Sequence, residues 1–121
     1  MKNIQTRYPA LIRAAQTVRK KAYAPYSKFK VGAALLTSTG RIFSGCNVEN
    51  ASYGLTLCAE RSAIVQAVAS GERRIVALAV VSDSARPLPP CGACRQVLKE
   101  LGPQAEVLMV SARGTVRRAR I

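Results

Sequence analysis

Apolar residues first recur at helical spacing over residues 9–24, where Leu11, Ile12, Ala15 and Val18 fall on one face and Pro9 suits a first turn. The period then changes. Val31-Gly32-Ala33-Ala34-Leu35-Leu36 is a short continuous apolar run that ends in the turn-like Ser38-Thr39-Gly40, and Ile42-Phe43-Ser44-Gly45-Cys46 answers it. Two strands joined by a hairpin are predicted. After a polar loop over residues 47–56, Ala59, Ala63, Ile64, Ala67 and Val68 mark a second, largely buried helix over 58–70, stopped by Gly71. Residues 75–81 are apolar throughout and of strand length, which predicts a strand covered on both faces. A proline-rich loop follows over 83–90. Residues 91–101 read as a third helix, with Val97, Leu98 and Leu101 on one face and Gly102-Pro103 as its stop. Residues 107–110 and a basic stretch around Val116 read as two last strands.

This order of helix, hairpin, helix, strand, helix, strand, strand predicts an α/β fold in which helices cover a mixed sheet of five strands. At 121 residues and 49% hydrophobic composition, one domain over residues 1–121 is expected, without internal repeat or low-complexity linker. No apolar run approaches the roughly 20 residues that span a bilayer, and the polar start Met1-Lys2-Asn3-Ile4-Gln5 lacks the apolar core of a signal peptide. The expectation is a cytoplasmic protein without membrane contact. Nineteen Lys and Arg stand against six Asp and Glu, a net charge of +13 that makes nucleic acid a partner to consider. The basic residues are scattered, however, from Arg13, Arg19, Lys20 and Lys21 to Arg113, Arg117, Arg118 and Arg120, with few aromatics between them to stack bases. A solvated surface accounts for them better.

The chemistry lies in the cysteines. Cys58-Ala59-Glu60 and Pro90-Cys91-Gly92-Ala93-Cys94 supply three soft ligands and a carboxylate beside them, the minimum set for a zinc-activated water with its own proton carrier. A disulfide framework, a redox pair and a structural zinc knot are the alternatives. A knot would want a fourth ligand, and the chain has no histidine and only Cys46 to spare, which reads as a buried free thiol. Cys58 opens one predicted helix, and Cys91 with Cys94 opens another. There, unpaired N–H groups and the helix dipole favour the thiolate that a metal requires. Three thiolates would leave the ion net negative, and Arg61 is either a donor that offsets this charge or an ordinary exposed helix arginine. Glu60 alone would read as a favourable first-turn acid; beside three ligands it reads as catalytic.

The spacing resembles the zinc nucleobase deaminase signature. Lys28-Phe29-Lys30-Val31-Gly32-Ala33-Ala34, Gly45-Cys46-Asn47-Val48-Glu49-Asn50-Ala51-Ser52-Tyr53, Cys58-Ala59-Glu60-Arg61 and Pro90-Cys91-Gly92-Ala93-Cys94-Arg95-Gln96 together resemble the free-nucleoside cytidine deaminases of the small, three-cysteine type. The likeness runs from about Tyr23 to Leu101. It implies a three-layer α/β/α fold and one Zn2+ per chain on Cys58, Cys91 and Cys94. It also implies hydrolysis of cytidine and deoxycytidine to uridine and deoxyuridine with release of ammonia, as in pyrimidine salvage, with Glu60 as proton shuttle.

The same resemblance assigns Asn47 and Glu49 to a ribose hydroxyl, Phe29 to packing against the substrate, and Ala59 with Glu60 to the pyrimidine edge. Ala51 and Tyr53 match positions that a neighbouring subunit contributes, in a homotetramer with shared active sites. Read without it, Phe29 is a core residue, Asn47 and Asn50 are turn residues and Tyr53 a loop anchor. Glu49 is a poor core residue and a good hydroxyl acceptor on either reading. The family usually continues past its last strand into a segment of the type L-L-P-x-A-F that reaches a neighbouring site. Arg117-Arg118-Ala119-Arg120-Ile121 offers no counterpart, so that contribution is expected to be missing. Two rival functions remain at this stage: a deaminase of polynucleotide or of a cytosine-nucleoside antibiotic, and a noncatalytic zinc or nucleic-acid-binding module.

Overall fold

The run expected to be covered on both faces is β3 (Ile75–Ser82), and it forms the middle of a five-stranded sheet in the computed structural model, which describes residues 4–120. Strand order is β2-β1-β3-β4-β5, with β1 Val31–Thr37, β2 Ile42–Cys46, β4 Glu106–Val110 and β5 Val116–Arg120. The β3–β4 pair is parallel and the other three pairs are antiparallel, so the sheet is mixed as predicted. Two short 3-10 turns lie outside this frame, at Ile4–Arg7 and at Tyr53–Leu55 within the loop after β2.

Alternation along the strands sorts the apolar residues into two cores. Ala33, Leu35, Leu78, Val80, Val107 and Met109 point to one face, where α2 (Ala59–Ala69) and α3 (Gly92–Leu101) bring Ala59, Ala63, Ile64, Ala67 and Leu98. Ala34, Leu36, Ala77, Ala79, Val81, Leu108 and Val110 point to the other, where α1 (Tyr8–Arg19) brings Tyr8, Leu11 and Ala15. The result is the three-layer α/β/α arrangement. Two glycines set how closely helices approach the sheet. A Cβ on Gly32 would lie 2.1 Å from the Ala15 carbonyl oxygen of α1, and one on Gly45 would lie 2.5 Å from the Ala63 nitrogen of α2.

The sequence carried α1 to Ala24, and the structure ends it at Arg19. Long-range pairing takes the rest: the Tyr23 N–H donates to the Asn47 carbonyl (3.0 Å) and the Glu49 N–H to the Tyr23 carbonyl (2.9 Å). Pro25, next after Ala24, also turns the chain from helical geometry. On the far edge, β5 pairs with β4 alone and all five of its residues are exposed. Tyr8 anchors α1 to that side by donating its hydroxyl to Glu106, which also lies 3.9 Å from Arg118. No helix among the described residues is long and apolar enough to cross a membrane.

Candidate active site

Helices α2 and α3 lie on the same face of the sheet, and each begins at a cysteine in extended conformation: Cys58 caps α2 and Cys91 caps α3. Cys94 sits in the first turn of α3, where its N–H donates to the Cys91 sulfur at 3.4 Å. The three Sγ atoms lie within 4.8 Å of one another, Cys58 and Cys91 at 3.7 Å and Cys91 and Cys94 at 3.1 Å. Cys94 is buried, Cys58 half-buried and Cys91 exposed, and all are free thiols. Cys46, also free, lies in β2 outside the cluster.

Electrostatics within the trio favour a cation. The Cys58 thiol is pulled down to about 5, chiefly by the hydrogen bond from Cys94 and, against the opposing effect of burial, by Arg61. Seen from the other side, that contact and burial push the Cys94 thiol far up. Negative charge is thus concentrated on Cys58, and a bound divalent cation is what allows thiolates to share so small a volume. Arg61 donates from a terminal guanidinium nitrogen to the Cys58 sulfur at 3.4 Å, while its buried Nε has no partner. Hydrogen bonding to the thiolates raises the guanidinium further above its usual range.

Glu60, two residues into α2, is 5% exposed and lines a cavity of about 220 Å3 with Phe29, Asn47, Cys58, Ala59 and Cys91. Burial raises its carboxyl above the usual range, and the neighbouring Cys58 thiolate adds to that. The cavity's remaining wall comes from residues that sequence reasoning did not single out, among them Thr56, Leu88 and Pro89. A wider cleft of about 450 Å3 adjoins it, sharing Cys58 and Cys91 and lined by Tyr26, Ser27, Glu49, Tyr53 and Arg61. Tyr53 is 91% exposed. Ala51 is exposed and lines neither space.

The two polar residues of the Asn47-Val48-Glu49 block are tied to the opposite wall. Asn47 is buried, its amide nitrogen donating to the Phe29 carbonyl and its amide oxygen accepting from the Val31 N–H, each at 2.9 Å. One N–H and one lone pair of that amide remain free for another partner. Glu49 accepts from the N–H groups of Tyr26 (3.0 Å) and Ser27 (3.1 Å) and from the Ser27 hydroxyl. These bonds, that of the Ser27 side chain first, hold its carboxyl below the usual range. The loop over 83–90 is clamped too: the Asp83 carboxylate accepts from the Lys30 N–H (2.8 Å) and from Arg19 (3.2 Å), and the Asp83 N–H donates to the Lys30 carbonyl (3.2 Å).

Residues 5–110 match the family model of the cytidine and deoxycytidylate deaminase zinc-binding region. The chain belongs to this family. Among curated members of this deaminase family, it is 59% identical over 93 residues to the cytidine deaminase of Halalkalibacterium halodurans, covering 77% of this chain and 70% of the relative. Identity to the cytidine deaminase of Sporosarcina psychrophila is 56% over 90 residues, covering 74% of this chain and 66% of the relative. The crystal structure of cytidine deaminase from Burkholderia pseudomallei superposes with a TM-score of 0.90 at 56% identity, over 93% of this chain and 91% of that one. In this deaminase chain the cluster of Cys58, Cys91 and Cys94 fits one Zn2+.

Proposed function

We propose that this chain is a zinc-dependent hydrolase that converts cytidine and deoxycytidine to uridine and deoxyuridine, with residues 1–121 acting as one catalytic domain. The observation that carries this reading is a three-thiol cluster two of whose members, Cys58 and Cys91, line one cavity together with the buried carboxyl of Glu60, Phe29 and Asn47. Cys58, Cys91 and Cys94 are the ligands. Held there, Zn2+ supplies a water of lowered pKa next to the pyrimidine.

Glu60 then manages the protons. Burial raises its carboxyl above the usual range, so it holds a proton more readily than an ordinary carboxylate, which suits a group that must take up a proton and return it. It takes one from the water that adds at C4 and delivers it to N3, then takes the second from the new C4 hydroxyl and passes it to the 4-amino group, so that ammonia leaves as the C4 carbonyl forms. Substrate and water are thereby balanced by product and ammonia. Arg61 holds charge on the thiolate side and limits how strongly three sulfurs oppose loss of the water's proton. The Ala59 backbone with Glu60 reads the pyrimidine edge, Phe29 packs against the ring, and Asn47 with Glu49 takes a sugar hydroxyl.

Supporting a shared-site homotetramer, large apolar side chains stand exposed: Tyr26 and Tyr53, which line the open cleft, and Tyr23 and Leu55 are all more than half exposed. Burying such a patch against neighbouring subunits, with Ala51 and Tyr53 offered to an adjacent site, would close it. We place the protein in the cytoplasm. Ultraviolet assays on cytidine, deoxycytidine, cytosine and a single-stranded oligonucleotide test the assignment. Turnover confined to the two nucleosides is expected; equal deamination of the oligonucleotide would overturn it.

A further inference from the structure

Between the two walls of the pocket runs a hydrogen-bonded relay through one exposed hydroxyl. The Ser27 Oγ accepts the Phe29 N–H at 3.0 Å, so its own proton is free to be donated, and it goes to Glu49 Oε2. Glu49 Oε1 meanwhile accepts the Tyr26 and Ser27 N–H groups. Between Ser27 and Phe29 stands Lys28 at φ 60°, the non-glycine residue in left-handed conformation among the described residues. The carboxylate of Glu49 therefore staples a turn whose geometry few L residues adopt.

We infer that Ser27 is a positioning residue for sugar recognition: by occupying one side of Oε2 it orients Glu49 and leaves that carboxylate a single free acceptor site, which takes one sugar hydroxyl. The count follows from the carboxylate itself. Its two oxygens offer about four lone-pair sites, and the Tyr26 N–H, the Ser27 N–H and the Ser27 hydroxyl fill all but one. Because the same hydroxyl receives the Phe29 N–H, the residue proposed to pack on the base and the residue proposed to hold the sugar are set by one group. Ser27 touches no substrate in this scheme; it acts through Glu49. The inference rests on the proposed role of Glu49 at the sugar.

The test compares the zinc-loaded parent with Ser27→Ala, Ser27→Thr and Glu49→Gln, on cytidine and on 2′,3′-dideoxycytidine, which lacks both ring hydroxyls. KM is read, or Ki against cytidine where turnover is slow. Ser27→Ala is expected to raise KM for cytidine about tenfold, the worth of one hydrogen bond to a charged group, with kcat changed by less than about twofold. On dideoxycytidine it should change binding by less than about twofold, and Ser27→Thr should restore cytidine binding. Unchanged melting temperature and zinc content would exclude a folding defect.

Equal losses on both nucleosides would overturn the inference, because a general distortion of the pocket predicts that pattern. So would an unchanged KM for Ser27→Ala in a protein where Glu49→Gln weakens cytidine selectively. If Glu49→Gln fails to alter the ratio between the two nucleosides, the sugar role of Glu49 itself falls. That arm separates failure of the underlying reading from failure of the Ser27 relay.

Discussion

Replacing Gly45 by alanine tests how tightly the site depends on the packing of α2 against β2. The added Cβ would stand 2.5 Å from the Ala63 nitrogen, 2.6 Å from the Ser62 Oγ and 2.7 Å from the Ser62 Cβ. The hydroxyl can rotate away, but the other two atoms belong to the helix frame. Reaching an ordinary contact of 3.4 Å from 2.5 Å requires α2 and β2 to separate by about 1 Å. Overpacking of this kind costs about 1–3 kcal/mol, or about 4–12 °C of melting temperature in a domain of this size. Activity should suffer beyond the stability loss. Helix α2 carries Cys58, Glu60 and Arg61, whereas Cys91 and Cys94 ride on α3, so a shift of α2 moves half of the site against the other half. A misplacement of about 1 Å is expected to lower kcat/KM about a hundredfold. Gly54, with no atom within 4 Å of its would-be Cβ, is the control for stability. A Gly45→Ala protein that melts within about 1 °C of the parent, with kcat/KM within twofold, would refute the reasoning.

Glu60→Gln removes the proposed proton carrier without touching a sulfur, and should lower kcat by at least about a hundredfold while elemental analysis still finds one zinc per chain. Cys94→Ala should lose both zinc and thermal stability, because the buried thiol joins the ligand set to the core; full zinc occupancy in this variant would argue against a three-cysteine site. Burial and the hydrogen bond to Glu106 push the Tyr8 hydroxyl up to about 12, so the folded chain holds that proton more tightly than the unfolded one. Its contribution is therefore complete below pH 10 and lost as pH rises from 10 to 12. Denaturation curves should show the parent losing more stability than Tyr8→Phe across that window, and parallel losses would contradict the assignment.

The strand order could not be read from periodicity, but the elements could, because each core face leaves its own signature. Unbroken apolar character from Ile75 onward reflects a strand with α1 on one side and α2 and α3 on the other. Helix α1 was read too long because the pairing that ends it involves Asn47 and Glu49, more than 20 residues away. In the site, Cys58, Glu60, Cys91 and Cys94 were legible because their chemistry is local to two helix starts. Leu88, Pro89 and Thr56 were not, since only the folding of two loops onto the cavity gives them a role. Ser27 and Asp83 were missed for a related reason. Their partners, Glu49 and Lys30, are remote in sequence, and an isolated serine or aspartate in a loop carries no signal of its own.

The exposed strand β5 bears on what such a basic chain can assemble into. A bare strand edge is ordinarily a template for another sheet, yet this one carries Arg117, Arg118 and Arg120 among its five residues. Two copies meeting edge to edge would bring rows of guanidinium groups together, relieved in each copy mainly by Glu106. Charge thus guards the sheet against runaway extension, most strongly at low ionic strength.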